Sequence, residues 1–96
     1  MNVAVLEGRR IRIRGTLPGS EFRPWVCQIA RQAGVTGRVH DDAAGVTVEA
    51  FGDWAEIERF IALLHAMPRA DDTVDFQQAP IPAELMSEFV MDGLPR

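Results

Sequence analysis

The stretch with the most chemical content is Gly15-Thr16-Leu17-Pro18-Gly19-Ser20-Glu21-Phe22-Arg23-Pro24. It joins the end of an alternating segment to the start of an amphipathic one through a tight, glycine-containing loop. In such a turn successive backbone N–H groups point inward, and the helix that follows adds positive potential at its N-terminus. Small oxyanions are the natural occupants of that geometry. Arg23 stands where the helix begins, and its planar guanidinium could hold a phosphoryl group with two parallel donors. An ordinary strand-to-helix turn with a solvated arginine is the alternative reading of the same residues.

The elements that would position this loop follow from periodicity. In Arg10 to Thr16, Ile11 and Ile13 alternate with Arg10, Arg12 and Arg14, the pattern of a strand with one wet face. Phe22, Val26, Ile29, Ala30 and Ala33 share one face of a helix over 22–33, with Pro24 in its first turn and Gly34 at its end. Cys27 lies off that stripe and is read as a packing residue or a half-exposed thiol. Val35 to His40 reads as a second strand. Asp41-Asp42-Ala43-Ala44-Gly45 is a compact loop with Gly45 free to take a positive φ, and Val46, Val48 and Ala50 form a third strand paired with the second.

Asp53 and Glu56 have capping-box spacing and open a second helix. Trp54, Ile57, Ile61 and Leu64 are its expected buried face, and Met67-Pro68 its end. Thr73 to Gln78 alternates as a fourth strand, and Asp71-Asp72 before it reads as a solvated bend. The segment from Pro82 to Gly93 fits either a helix, which its local pattern favours, or an edge strand around Glu88 to Asp92.

The order β-α-β-β-α-β is the split β-α-β arrangement, a ferredoxin-like α+β fold. An antiparallel sheet of four or five strands would carry both helices on one face. Enzymes, RNA binders and small-molecule sensors all use this architecture, so function must come from the loop.

That loop resembles the acylphosphatase signature, in which a glycine-containing run ends in phenylalanine-arginine. Leu17, Gly19, Phe22 and Arg23 carry the match. Phe22-Arg23-Pro24-Trp25-Val26 is most similar to one branch, the amino-terminal acylphosphatase-like domain of the carbamoyltransferases that mature nickel–iron hydrogenases. The likeness continues through Gly37-Arg38-Val39, Gly45-Val46 and Glu49-Ala50-Phe51-Gly52-Asp53, and covers roughly 9–78. The resemblance implies hydrolysis of an acyl phosphate to a carboxylate and phosphate, with neither metal nor cofactor. Arg23 and the backbone amides of Pro18 to Phe22 (proline itself lacking an N–H) would hold the phosphoryl group. The family's water-positioning asparagine falls at position 41.

Here that position is Asp41. A carboxylate accepts a hydrogen bond from water but donates none to a phosphoryl oxygen. At ~5 Å and an effective dielectric of about 20, its repulsion of an anionic substrate is roughly 3 kcal/mol. Such a penalty in the transition state slows a reaction on the order of a hundredfold. Asp41 could also pair with Arg23 in place of phosphate. Pro18 replaces the family's glutamine and removes an amide donor, Ser20 replaces an apolar residue, and Glu21 adds a negative charge. The expected function is binding of acyl phosphates with weakened hydrolysis. The alternative is a non-catalytic phosphate- or carbamoyl-phosphate-binding or protein-interaction module.

Other polar residues carry blander readings. His40 adjoins Asp41, but alternation sends the two side chains to opposite faces. His65 sits at the negative end of the second helix dipole, and Trp25 packs at the core or rim beside the loop.

The chain as a whole sets limits on partners. Its 96 residues suffice for one domain, read as a flexible segment 1–8, a domain 9–92 and a tail 93–96. The net charge of −4 argues against a sequence-independent nucleic-acid binder. All ten positive side chains are arginine, so the basic character of 9–38 is forked rather than point-like. No apolar run approaches a membrane span, no signal peptide is evident, and the single cysteine forms no disulfide framework. A cytoplasmic monomer acting on a small anionic substrate or phosphate is expected.

Overall fold

A computed structural model of the 96-residue chain describes residues 5–15, 22–42, 45–66 and 74–91. Its elements are β1 (Glu7–Arg14), α1 (Phe22–Ala33), β2 (Thr36–Asp42), β3 (Gly45–Gly52), α2 (Trp54–His65), β4 (Asp75–Ile81) and β5 (Phe89–Met91). The sheet order is β4-β1-β3-β2-β5. This is the ferredoxin-like α+β arrangement expected from the alternating periods.

Ile11 and Ile13 of β1 and Val46, Val48 and Ala50 of β3 are buried against the two helices. Arg10, Arg12 and Arg14 project from the other side. Helix α1 begins and ends as its apolar spacing dictates, and all five stripe residues are buried. At its end Gly34 takes φ +87°, the Gly34 N–H donates to the Ala30 carbonyl at 3.0 Å and the Val35 N–H to the same oxygen at 3.1 Å. That closes the helix with a left-handed glycine, as a side chain at this φ would be strained. The capping box of α2 is formed in both directions: the Glu56 N–H donates to Asp53 at 2.8 Å and the Asp53 N–H to Glu56 at 3.0 Å.

Three differences from the sequence expectation have physical causes. First, Trp54 is 63 % exposed rather than part of the buried face of α2, whose core side is Ile57, Phe60, Ile61 and Leu64. Trp54 is the first helical residue, and the stripe gains its contact one turn later. Second, of the two readings left open after β4, the edge strand forms rather than the locally favoured helix. Phe89 is buried and packs on Phe60 with ring centroids 5.9 Å apart. The open edge of β2 offers backbone partners that local helical spacing does not, and the Gly37 N–H donates to the Glu88 carbonyl at 3.2 Å. Third, β5 pairs with β2 in parallel, so the sheet is mixed rather than wholly antiparallel. The expected helix end at Met67-Pro68, the bend at Asp71-Asp72, the residue Thr73, residues 43–44 of the hairpin loop and the tail 93–96 lie outside the described residues.

On the outer face, Arg38 donates to Glu49 at 2.6 Å and to Glu84 at 2.5 Å, tying the segment before β5 to the sheet. Its hydrogen bonds to Glu84 and then to Glu49 hold its charge and raise its pKa further. Arg10 also reaches Glu49, at 3.4 Å. A shallow groove of about 160 Å³ lined by Arg10, Arg12, Gln77, Gln78 and Ala79 opens beside β4.

Gly37 fixes the pairing of β2 with β3. Its φ is +139°, and a Cβ there would lie 1.9 Å from the Glu49 carbonyl oxygen, a backbone atom that cannot swing away. Gly37→Ala is therefore expected to destabilise the fold by about 3 kcal/mol or more, read as a lower midpoint in urea denaturation.

Candidate functional site

Arg23 is the second residue of α1. Phe22, 2 % exposed, anchors the first turn of α1 in the core, and Trp25 leans on Phe22 with ring centroids 6.0 Å apart and packs against the same cluster. The guanidinium is thus held by a helix whose start is fixed from below. Its target strand is β2. Asp41 pairs with Val46 in the register of β2 and β3, and directly paired residues share a face, so Asp41 lies on the helix side of the sheet.

The two side chains meet there. Arg23 Nε is 3.6 Å from Asp41 Oδ2, with side-chain exposures of 17 % and 57 %. The contact is an ion pair rather than a formed hydrogen bond, and the wet carboxylate keeps it weak, about 0–1 kcal/mol. On the far side of the guanidinium, Nη1 is buried and has no hydrogen-bond partner among the described residues. Withdrawing such a donor from water costs about 1–3 kcal/mol, more for a charged group. An oxyanion placed at Nη1 would recover that cost through a charge-assisted bond. Nε thus faces the Asp41 carboxylate, while Nη1 is a buried donor without a partner among the described residues.

Of the residues singled out by sequence, the structure brings Arg23 and Asp41 together, with Phe22 in the core beside Arg23. Pro18, Gly19, Ser20 and Glu21, the expected cradle, lie outside the described residues. His40 is on the opposite face, paired in register with Thr47. His65 stacks on Phe76 with centroids 4.5 Å apart. Among the described residues, no cluster of His, Cys, Asp and Glu is placed to hold a metal ion, and no helix is long and apolar enough to cross a membrane.

Cys27, one turn after Arg23, is a buried packing residue. Burial pushes its thiol pKa up, and the neighbouring Arg31 and Arg23 guanidinium groups offset only part of that. Thiolate-selective reagents are expected to label it at least about a hundredfold more slowly than a free thiol, with full reactivity returning in urea. Because the folded thiol holds its proton past the ordinary value of 9.0, the unfolded chain ionises first. Stability is therefore unaffected by this group below pH 9.0 and falls as pH rises above it.

Sequence reasoning missed one pair. Thr47 of β3 is 7 % exposed, the one buried polar residue among those described, and its hydroxyl donates to Asp42 Oδ2 at 2.5 Å. The signal was available: the two residues flank the hairpin loop, at positions that share the outer face once the register is known.

The fold and the arginine at the helix start define a class. The acylphosphatase family model matches residues 9–91, and the chain belongs to that family. Within it, the chain is 48% identical over 48 residues to carbamoyltransferase HypF2 of Cupriavidus necator and 46% identical over 48 residues to carbamoyltransferase HypF of Rhodobacter capsulatus. Each match covers 50% of this chain and 6% of the relative, so the chain corresponds to a small part of those proteins. The crystal structure of full-length HypF in a phosphate- and nucleotide-bound form superposes with TM-score 0.86 at 28% identity, covering 96% of this chain and 12% of that one. An acylphosphatase from Coxiella burnetii shares the fold, with TM-score 0.79 at 22% identity over 91% of this chain and 93% of that one.

Proposed function

We propose that this domain binds the phosphoryl group of an acyl phosphate at Arg23 and turns it over slowly because Asp41 competes for the same guanidinium. The observation that carries the reading is the buried Nη1 of Arg23, unpartnered among the described residues, beside an ion pair at Nε. In the reaction, the oxygen of a water forms a bond to phosphorus as the bond from phosphorus to the bridging oxygen breaks. The carboxylate leaves, and the water's proton passes to a phosphoryl oxygen. Arg23, with the loop amides that the family resemblance implies, offsets the charge gathering on the phosphoryl group, which is catalysis by position and field. Asp41 stands in the water-positioning place. It can accept a hydrogen bond from the attacking water, but it repels the group that water attacks.

The similarity to carbamoyltransferases favours carbamoyl phosphate, itself a mixed anhydride of phosphoric acid, as a natural ligand, and with it a second reading in which the domain binds without turnover. Both readings are tested by phosphate release from acetyl phosphate and carbamoyl phosphate, alongside a phosphate titration followed by NMR. Turnover with binding establishes the enzyme. Binding without turnover establishes the binding module. No phosphate-dependent shift at Arg23 would overturn both.

A further inference from the structure

We infer that Thr47 is a positioning residue for the group at position 41, acting through Asp42 from the opposite face of the sheet. This rests on the site reading above and extends it to a residue that touches neither substrate nor Arg23. Asp41 and Asp42 are consecutive at the end of β2, so their side chains leave the strand on opposite faces. Asp41 faces α1 and Arg23, while Asp42 faces outward, where Thr47 waits one strand over. The register sets His40 against Thr47 and Asp42 against Gly45, which makes Asp42 and Thr47 diagonal neighbours on the outer face.

The bond between them has the features of a brace rather than a surface contact. Thr47 is buried on β3, a central strand paired on both sides, by β1 and by β2. Its β-branched side chain has few rotamers, so its hydroxyl is held by a rigid element. Asp42 Oδ2 accepts from it at 2.5 Å, a short charge-assisted bond. Asp42 is the last residue of β2, and this bond ties that strand end to the next strand. Pinning it to β3 fixes the peptide that also carries Asp41. Asp41 itself is 57 % exposed, and its long ion pair to Arg23 gives it little restraint of its own. The rigidity of residue 41 therefore comes from the far side of the sheet.

The sharpest test follows the Nε–Hε resonance of Arg23 by ¹⁵N–¹H NMR in wild type, Asp41→Asn, Thr47→Val, Thr47→Ser and Asp42→Ala. Thr47→Val keeps the branched shape and removes the hydroxyl. It is expected to move the Arg23 resonance toward its position in Asp41→Asn, with Asp42→Ala doing the same from the other end of the bond. Thr47→Ser, which restores the donor, should leave it at the wild-type position. With Asp41 loosened, inorganic phosphate should bind Thr47→Val about threefold more tightly, the scale of one ordinary hydrogen bond's net effect. A purely structural threonine would lower the unfolding midpoint and leave the Arg23 resonance in place, and that result overturns the inference. If wild type shows no phosphate-dependent shift, the site reading fails instead, and the comparison of resonances without phosphate still decides the role of Thr47.

Discussion

Arg23→Ala is expected to abolish phosphate binding and turnover while leaving the fold as stable as before, or slightly more so. The two halves of this result come from one observation. Nη1 is buried and unpartnered among the described residues, so the guanidinium costs the folded chain desolvation that no internal hydrogen bond offsets. Its ion pair with the exposed Asp41 returns at most about 1 kcal/mol. Removing the side chain relieves the first and forfeits the second. Function has no such compensation, because a preorganised donor aimed at developing charge is worth roughly a hundred- to a thousandfold in rate. Thermal unfolding and phosphate release on the same samples check both. Arg23→Lys separates charge from geometry: a single ammonium restores the attraction but not the fork, so binding should return only in part. A variant that unfolds with loss of activity would show Arg23 to be a structural ion-pair residue, and the site reading would go with it.

How much of this could be read beforehand differs from residue to residue. The stripe of α1 and the capping box at Asp53 and Glu56 are local signals, written within one or two turns, and the helices follow them. The alternation of Ile11 and Ile13 with arginines fixed both the strand and its faces. The choice between helix and edge strand around Phe89–Met91 was not legible, because Leu85, Met86 and Phe89 also satisfy a helical spacing. What decides is distant: the open edge of β2 and the Phe60 ring that covers Phe89. Trp54 misled for a related reason, since a large apolar residue at the first helical position satisfies the period before the helix has reached the core. At the site, the resemblance gave Arg23 and position 41 to one function, and the register of β2 with β3 puts Asp41 on the helix side of the sheet, where Arg23 meets it. The brace at Thr47 required that register, since a threonine alternating with valines reads as a solvated position until its cross-strand neighbours are known.

Asp41→Asn should act in the opposite direction to Arg23→Ala, tightening phosphate binding and raising turnover by about tenfold. Full repulsion at ~5 Å and an effective dielectric of about 20 is roughly 3 kcal/mol. Asp41 is 57 % exposed, however, and water screens such a carboxylate, so about half of that is the reasonable share of the gain. An asparagine also brings an N–H donor, allowing one side chain to accept from the attacking water and donate to a phosphoryl oxygen. Affinity and rate therefore separate the two contributions: lost repulsion improves phosphate affinity, while a better-oriented water improves turnover beyond it. Salt offers a second separation. Repulsion from an exposed charge weakens as the Debye length falls from about 10 Å at 0.1 M to about 3 Å at 1 M, so the affinity advantage of the variant should shrink across that range. The orientational part rests on a hydrogen bond and should persist. A gain in turnover that survives high salt would mean the asparagine is positioning water, and that the rest of the catalytic site was intact beneath the aspartate.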